Sequence, residues 1–357
     1  MAGLLAIMVM MSPDVPAPAL RLHIDLDALR SNWQALDRLS GRARAGAAVK
    51  ADAYGVGARQ VVPVLRAAGC RDFFVAHWGE VGDVLDLLEP EKLSVLHGPL
   101  TDADAAFAHS CGIKPVINSL EQARRWLRSG GGRCDLMIDT GINRLGLPMA
   151  EIGNECLRSL DIDVLLSHLV SAEEDTDLNR LQCDRWREAR AVIPHQRSSL
   201  ANSAGIVLGS DFHGDLTRPG IALYGGVPRA EMSGLIRQVV RPQAAILQVR
   251  NIAAGDTVGY NATFTAPTAM RVGTIALGYA DGYLRCWSGR GRFHADGQEL
   301  KVLGRVSMDM TVIDLSKAPH IGEGGWVTAD YALPQASALT GLSQYELLTL
   351  LGNRFGR

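Results

Sequence analysis

Short apolar segments alternate with longer amphipathic segments from about residue 21 to residue 225. The longer segments carry apolar residues at helical spacing in 61–68, 79–88, 119–128 and 175–192. The apolar segments that we predict as strands are 46–51, 72–77, 93–98, 113–118, 134–139, 162–168, 198–203 and 215–220. Eight strands that alternate with helices are typical of a closed parallel β/α barrel, to which a doubly wound open sheet is the alternative.

Beyond about residue 235 the pattern changes. Strand-like segments there are short and separated by glycine-rich turns, and helical spacing returns only at 343–351. The sequence therefore predicts an α/β fold with two domains. An N-terminal (β/α)8 TIM-like barrel covers residues 21–235, and a C-terminal mostly-β domain covers residues 236–357.

The chain before the first barrel strand contains one helical segment and an apolar run. Residues 25–36 predict a helix with Asp27 as its N-cap. In residues 1–20 an apolar run is followed by Ala17-Pro18-Ala19, but no Lys or Arg precedes it and it is too short to span a membrane. We interpret residues 1–20 as a disordered extension or the product of an upstream start codon, and we expect a cytoplasmic protein without a membrane partner.

The composition is that of an ordinary globular protein, with 47% apolar and 21% charged residues and a net charge of −2. This charge argues against a broad nucleic-acid surface. The six cysteines are scattered and show no CxxC or metal-ligand spacing. We interpret them as reduced thiols, leave disulfides open, and predict no metal site.

Polar side chains follow the predicted strands at their C-terminal ends, where β/α barrels carry their chemistry. These positions hold Lys50, His77, His97, Asn118, Asp139, His168, Asn202, Ser203 and Arg218. A histidine at a strand end is more often structural than catalytic, and we favour that interpretation for His77 and His97. For His168 the two interpretations weigh about equally, because Ser203 and Arg218 end neighbouring units.

Lys50 ends the first predicted strand, in the stretch AVKADAYGVG. A lysine with a buried stem loses its charge readily, and its neutral amine can form a Schiff base with a carbonyl. Gly55 and Gly57, and a second glycine turn at 217–226, would let backbone N–H groups approach a phosphate. Strands one and eight are neighbours in a closed barrel, so this combination points to pyridoxal 5′-phosphate (PLP). Taken alone, a lysine that extends to solvent remains the simpler interpretation.

Eight motifs, in order along the chain, resemble those of the alanine racemase family. They are AVKADAYGVG (48–57), DTGINRLG (139–146), SH (167–168), ANSAG (201–205), RPGIALYG (218–225), VGYNATF (258–264), GYADGY (278–283) and GRVSMD (304–309). No single motif is decisive, but the ordered set reaches from about residue 21 to the C-terminus and is highly specific. The resemblance implies PLP as cofactor and the interconversion of L- and D-alanine.

The resemblance also implies the catalytic residues. Lys50 would carry PLP and act as one base, and Tyr260 would be the acid or base on the opposite face of the substrate. Two groups on opposite faces remove the α-proton from one side and return a proton to the other. In this family the tyrosine comes from the partner subunit, so the protein would be a homodimer with shared active sites.

A set of binding residues follows from the same resemblance. The cofactor-binding positions beside Lys50 are Tyr54, His168, Ser203, Arg218, Gly220 and Ile221, and the substrate-binding positions are Arg144, Tyr279, Met308 and Asp309. Arg218 would face the pyridine nitrogen, and Arg144 would receive the substrate carboxylate. Because an arginine stays protonated, the pyridine nitrogen should remain unprotonated, which restrains side reactions such as transamination.

The chain departs from the family pattern at several positions, and other functions stay open. Met137 stands where many members have a carbamylated lysine that positions the arginine, and Asn353 stands where some have a tyrosine that reaches the phosphate. The alternatives are a broader-specificity racemase acting on serine or other amino acids, and a PLP decarboxylase of the same architecture. A non-catalytic PLP carrier is a further alternative, against which the β domain argues.

Overall fold

The computed structural model describes residues 16–352 and 354–356. The predicted extension over residues 1–20 therefore lies largely outside the described residues, and so does Asn353. The described chain starts with strand β1 (Leu20–Ile24) and helix α1 (Leu26–Leu39).

Helix α1 is capped by a different residue from the one predicted. The carboxylate of Asp25 accepts the N–H of Ala28 at 2.8 Å, so Asp25 is the N-cap. The prediction of Asp27 is wrong because the chain leaves β1 with Asp25 in an extended conformation, and Asp27 already lies in the first helical turn. The side chains buried on one face of the helix include Leu29, Trp33 and Leu36.

Parallel strands build the first domain, and each of the eight predicted segments contains one. With their short extensions they are β2 (Arg44–Ala45), β3 (Ala47–Ala48), β4 (Phe73–Val75), β5 (Leu93–Val95), β6 (Lys114–Ile117), β7 (Arg133–Asp139), β8 (Leu147–Pro148), β9 (Asp161–Leu166), β10 (Arg197–Ser199) and β11 (Leu216–Thr217). The order β3-β4-β5-β6-β7-β9-β10 is parallel throughout, and β11 pairs in parallel with β2.

The barrel closes around residues 44–49, which lie between β11 and β4. The N–H of Ala48 donates to the carbonyl of Pro219, just after β11, and the N–H of Val49 donates to the carbonyl of Phe74 on β4. Both N···O distances are 2.9 Å. On the other side of β11, the N–H of Arg218 donates to the carbonyl of Ala201 at 2.9 Å. The sheet therefore returns to its first strand, as the TIM-like barrel requires, and the open-sheet alternative is excluded.

Helices connect the barrel strands in the described residues. They are α2 (Lys50–Tyr54), α3 (Ala58–Ala68), α4 (Asp102–Cys111), α5 (Leu120–Arg128) and α6 (Asp177–Val192). The helices predicted at 61–68, 119–128 and 175–192 are confirmed. The helix predicted at 79–88 is wrong, because the chain forms 3-10 turns there, and Gly79 and Gly82 weaken an α-helix.

The second domain is an antiparallel sheet followed by two helices. Its elements are β12 (Val240–Ile252), β13 (Thr257–Val258), β14 (Phe264–Thr265), β15 (Met270–Ile275), β16 (Arg292–Ala295), β17 (Gln298–Leu303), β18 (Thr311–Asp314), β19 (Trp326–Ala329), α7 (Leu333–Thr340) and α8 (Gln344–Thr349). The strands pair in the order β12-β15-β18-β17-β16-β19, and β19 pairs back with β12. None of the helices in the described residues is both long and apolar enough to cross a membrane.

Strand β1 joins this second sheet rather than the barrel. It pairs antiparallel with β12, with Leu20 opposite Ala244 and Ile24 opposite Val240. The sequence pattern did not predict this pairing, because the two strands are separated by the whole barrel. The start of the chain and the second domain are therefore connected by backbone hydrogen bonds.

A buried ion network fills the N-terminal end of the barrel, opposite the strand ends that carry Lys50. Lys114 on β6 lies between Asp163 on β9, at 2.6 Å, and Asp135 on β7, at 3.3 Å. Arg197 donates to Asp163 at 3.0 Å and to Asp72 at 2.7 Å. Burial opposes ionisation of Asp163, but Arg197 and Lys114 hold its pKa well below the ordinary value. This carboxylate stabilises the fold above pH 3.8, and its contribution is lost as the pH falls through the lower folded value.

We expect Lys114→Met to destabilise the barrel by about 3–5 kcal/mol, because it leaves buried carboxylates without their cation. The measurement is urea unfolding followed by far-UV circular dichroism, with exposed Lys317→Met as the matched control. The double variant Lys114→Met/Asp135→Leu should recover part of the loss. A single variant as stable as the control would contradict this role of the network.

Candidate active site

A cavity of about 890 Å³ opens at the C-terminal ends of the barrel strands. Eight of the twelve predicted site residues line it: Lys50, Tyr54, Arg144, His168, Ser203, Arg218, Gly220 and Ile221. Residues of β3, β7, β9, β10 and β11, or directly after these strands, therefore meet in one cavity. The wall also contains His97, Met137 and Tyr345, of which Tyr345 comes from α8 of the second domain.

Lys50 stands where the first barrel strand turns into the cavity wall. The four residues after it, 51–54, have φ angles of 52°, 51°, 55° and 57°, so α2 is a left-handed turn. Each L-residue in this conformation costs about 1–2 kcal/mol. Hydrogen bonds compensate: Glu80 accepts the N–H of Ala51, and Asp52 accepts the N–H of Ala58, both at 2.7 Å. The turn places Lys50 and Tyr54 in the wall of the same cavity.

The surroundings of Lys50 favour its neutral amine. Burial and the nearby positive charge of Arg144 lower the pKa of Lys50, whereas the carboxylate of Glu80 works in the opposite direction. A neutral amine has the lone pair that nucleophilic attack and proton transfer require.

Ser203, Gly220 and Tyr54 form one wall of the cavity. The hydroxyl oxygen of Ser203 accepts the N–H groups of Gly220, at 2.9 Å, and Ala222, at 3.3 Å, so its own hydrogen is available for a ligand. A Cβ atom at Gly220 would lie 2.2 Å from the hydroxyl oxygen of Tyr54, so only glycine fits. Burial raises the pKa of Tyr54, which keeps its phenol protonated. This wall therefore offers hydroxyl donors to an anion.

Arg218 and His168 both line the cavity, and the charge of Arg218 acts on the imidazole of His168. The guanidinium of buried Arg218 donates to the hydroxyl of Ser199 and the carbonyl of Ser167. Burial lowers the pKa of Arg218 to about 10, so it stays charged at neutral pH. Burial and the charges of Arg218, Arg144 and Lys50 lower the pKa of His168 to about 3, so its imidazole is neutral.

Arg144 belongs to a loop that Asp139 holds in place. The carboxylate of Asp139 accepts the N–H groups of Gly141, at 2.8 Å, and Arg144, at 3.0 Å. Met137 contributes an apolar side chain to the cavity wall. Among the described residues the side chain of Arg144 has no hydrogen-bond partner, so the backbone of its loop, rather than a neighbouring side chain, sets its position.

The four predicted residues of the second domain lie outside this cavity wall. Tyr260, in the turn between β13 and β14, is 63% exposed, and Met308 is 53% exposed. The backbone N–H of Tyr279 donates to the carbonyl of Ser307, the residue before Met308, at 3.0 Å. Asp309 accepts a hydrogen bond from Arg354 at 2.7 Å. Within one chain the structure thus separates these residues from the eight that line the cavity.

Several residues that line this site or hold its loops were not predicted. Asp139 was noted only as a strand end, although an Asp before Thr-Gly is a turn signal that would have indicated its loop contacts. Glu80 and Tyr345 had no local signal. The hydroxyl of Tyr345 donates to Glu173 at 2.9 Å, and its ring lies 6.3 Å from that of Tyr54.

No group of three or more His, Cys, Asp or Glu side chains in the described chain has the arrangement of a metal site.

A barrel with a lysine and an anion-binding wall at its mouth, joined to a β domain, defines a PLP-dependent enzyme class. Family models for the N-terminal and C-terminal domains of alanine racemase match residues 24–228 and 239–357. The chain belongs to the alanine racemase family, whose members are PLP-dependent isomerases.

Individual relatives agree with this assignment over nearly the whole chain. The alanine racemase of Methylobacterium nodulans is 41% identical and covers 94% of this chain and 95% of its own length. A catabolic alanine racemase of Agrobacterium fabrum is 40% identical, and the match covers 94% of this chain and 91% of the Agrobacterium protein. The structure of Bartonella henselae alanine racemase with covalently bound pyridoxal phosphate has a TM-score of 0.86 at 34% identity. The match covers 96% of this chain and 99% of the Bartonella chain.

The residues of the cavity fit PLP. Its volume lies in the range of cofactor sites. The free hydroxyl hydrogens of Ser203 and Tyr54 suit a phosphate, buried Arg218 is a donor suited to an unprotonated ring nitrogen, and Lys50 is the amine that an aldehyde needs.

We expect Gly220→Ala to weaken PLP binding about tenfold or more, since the added methyl group must displace Tyr54 at an overpacking cost of about 1–3 kcal/mol. The measurement is titration of the apoenzyme with PLP, followed by absorbance. Gly153→Ala is the matched control, because its Cβ would meet nothing within 4 Å. Equal PLP affinity in both variants would show that Gly220 is not needed for this wall.

Proposed function

We propose that the protein is a PLP-dependent alanine racemase that interconverts L- and D-alanine with Lys50 and Tyr260 as its two acid/base residues. The observation that carries this proposal is the convergence of Lys50, Arg218 and the wall of Ser203, Gly220 and Tyr54 in one cavity. Because racemisation is reversible, the same residues serve both directions. The product either supplies D-alanine for peptidoglycan or enters alanine catabolism.

Lys50 is the group that holds the cofactor and moves a proton at its Nζ. Burial and the charge of Arg144 lower the pKa of Lys50, which favours the neutral amine, so Nζ can bond to a carbonyl carbon and can accept a proton from the substrate. When bound, PLP supplies the electron sink that stabilises the carbanion left after the α-proton is removed. Arg144, nearby in the same wall, presents a guanidinium for the substrate carboxylate.

Arg218 and His168 contribute one charged and one neutral group to the cavity wall. Arg218 stays charged and has no lone pair, so a ring nitrogen that faces it accepts a hydrogen bond and stays unprotonated. The neutral imidazole of His168 adds no further charge beside Arg218. This arrangement limits the strength of the electron sink and supports racemisation over transamination or decarboxylation.

The second acid/base residue would come from a partner subunit. Among the described residues, two tyrosines line the cavity of one chain, Tyr54 and Tyr345. Burial raises the pKa of both, so neither is suited to give up a proton. Tyr260 is exposed, and exposed Met308 and Met310 lie in the same domain. We therefore propose a homodimer in which Tyr260, Tyr279, Met308 and Asp309 of one subunit complete the cavity of the other. The division into a barrel over 21–235 and a β domain over 236–357 is part of the same proposal.

Other partners and the location remain part of the proposal. The net charge of −2 supports the absence of a nucleic-acid partner. All six cysteines are free thiols, which supports a reducing compartment such as the cytoplasm. No membrane partner is proposed.

We expect the purified protein to racemise L-alanine fastest in a panel of L-amino acids, with activity dependent on PLP. The D-enantiomers are measured by chiral chromatography. Lys50→Ala should lose the visible absorbance of bound cofactor and lower the rate by about 10²–10⁴-fold or more, because the nucleophile and base are gone. Exposed Lys301→Ala is the matched control.

Three results would contradict parts of this proposal. A visible band retained in Lys50→Ala would remove Lys50 as the cofactor lysine. Faster turnover of serine than of alanine would favour the broader-specificity racemase, and release of CO₂ would favour the decarboxylase.

We expect a mixture of inactive Lys50→Ala and Tyr260→Phe subunits to recover about a quarter of the wild-type activity. Random exchange makes half of the dimers mixed, and each mixed dimer holds one complete site of two. As control, Lys50→Ala mixed with Arg218→Ala should recover nothing, since both changes lie in the cavity of one chain. No recovery with Tyr260→Phe, once mixed dimers are demonstrated, would exclude a shared site.

A further inference from the structure

The turn that carries Lys50 is attached to the neighbouring barrel strand by a single carboxylate. One oxygen of Glu80 accepts the N–H of Ala51, directly after Lys50, at 2.7 Å. The other oxygen accepts the N–H of Ala76, directly after β4, at 2.6 Å. The Glu80 side chain is only 15% exposed, although Ala51 itself lies at the surface, and each bond is strengthened by the charge of its acceptor.

We propose that Glu80 is a positioning residue for the reaction, which connects the turn after Lys50 to the end of β4 and thereby sets where Nζ of Lys50 stands in the cavity. The inference rests on the proposed function of Lys50 but concerns a residue that touches neither cofactor nor substrate. Glu80 is absent from the residues that line the cavity, and it acts through the backbone.

The backbone conformation explains why such a connection is needed. β3 ends at Ala48, and the chain then enters the left-handed turn over 51–54, in which side chains crowd the backbone. The N–H of Ala51 therefore points away from the strand ladder and has no partner there. Glu80 gives this N–H an acceptor and fixes it relative to a strand that the barrel holds rigid.

The charge of Glu80 adds a second effect at the same place. The charged and titratable groups around Lys50 are Arg144 after β7, His168 after β9, and Glu80 after β4, with His77 3.8 Å from Glu80 and Tyr54 on the turn itself. Burial and Arg144 lower the pKa of Lys50, and Glu80 alone among these groups opposes them. Removing this carboxylate should make Nζ neutral more often.

The test uses the full chain with three variants. Glu80→Gln keeps one acceptor oxygen and the side-chain shape but removes the charge, and Glu80→Ala removes the connection. Asp83→Asn, on the same 3-10 segment but exposed, is the matched control. The first readout is acetylation of Lys50 by acetic anhydride in the apoprotein between pH 6 and pH 10, by peptide mass spectrometry, with exposed Lys317 as internal reference. The second readout is hydrogen exchange in peptides that contain Ala51.

In Glu80→Gln we expect Lys50 to be acetylated about threefold faster relative to Lys317 at pH 8, the effect of one screened charge. In Glu80→Ala we expect faster hydrogen exchange at Ala51 as well, and a racemase kcat at least about tenfold below wild type, with KM changed less. Asp83→Asn should match wild type in every readout.

Unchanged acetylation and unchanged exchange in Glu80→Ala would overturn the proposal, whatever the activity shows. Loss of activity in Glu80→Ala without either change would also overturn it, because a positioning role must be visible at Lys50. If the wild-type protein racemises nothing, the proposed function fails, while both apoprotein readouts still decide the role of Glu80.

Discussion

The site depends on one constraint, namely that the chain leaves the first barrel strand in a left-handed turn. A right-handed helix after Lys50 would carry Tyr54 in a different direction. Four L-residues accept φ angles between 51° and 57° because the hydrogen bonds of Glu80 and Asp52 compensate for the strain. The strand itself is held on both sides by alternating N–H groups, so the turn starts from a fixed position.

The two ends of the barrel differ in how their buried charges are paired. At the N-terminal end, Lys114 and Arg197 are matched with Asp72, Asp135 and Asp163, so the charges nearly cancel inside the protein. At the C-terminal end, Arg218 is buried, and among the described residues its guanidinium donates to a hydroxyl and a carbonyl rather than to a carboxylate. Burial and the nearby positive charges, that of Arg218 first among them, lower the pKa of His168 and keep its imidazole neutral. The guanidinium groups of Arg144 and Arg218 in the cavity wall are suited to an anionic cofactor and an anionic substrate. The same fold thus places stability at one end and reactivity at the other.

Much of the fold and part of the site could be predicted from local patterns. The eight strands of the barrel were identified because buried parallel strands are short and apolar, and Lys50 was singled out because a strand end in a barrel faces the cavity. The helix predicted over 79–88 was wrong because its apolar spacing is helical while Gly79 and Gly82 favour tighter turns. The cap of α1 was misplaced by two residues, because the end of β1 decides where the helix begins.

The sequence by itself determined which residue types stand at the strand ends and in what order, since strand and helix periodicities are local properties of the chain. Only the tertiary structure decided that Glu80 holds the turn after Lys50, that Tyr345 of the second domain reaches the cavity, and that β1 pairs with β12. These contacts join elements that are far apart in sequence, and local periodicity carries no information about such pairs. Their interaction therefore becomes visible only in the folded chain.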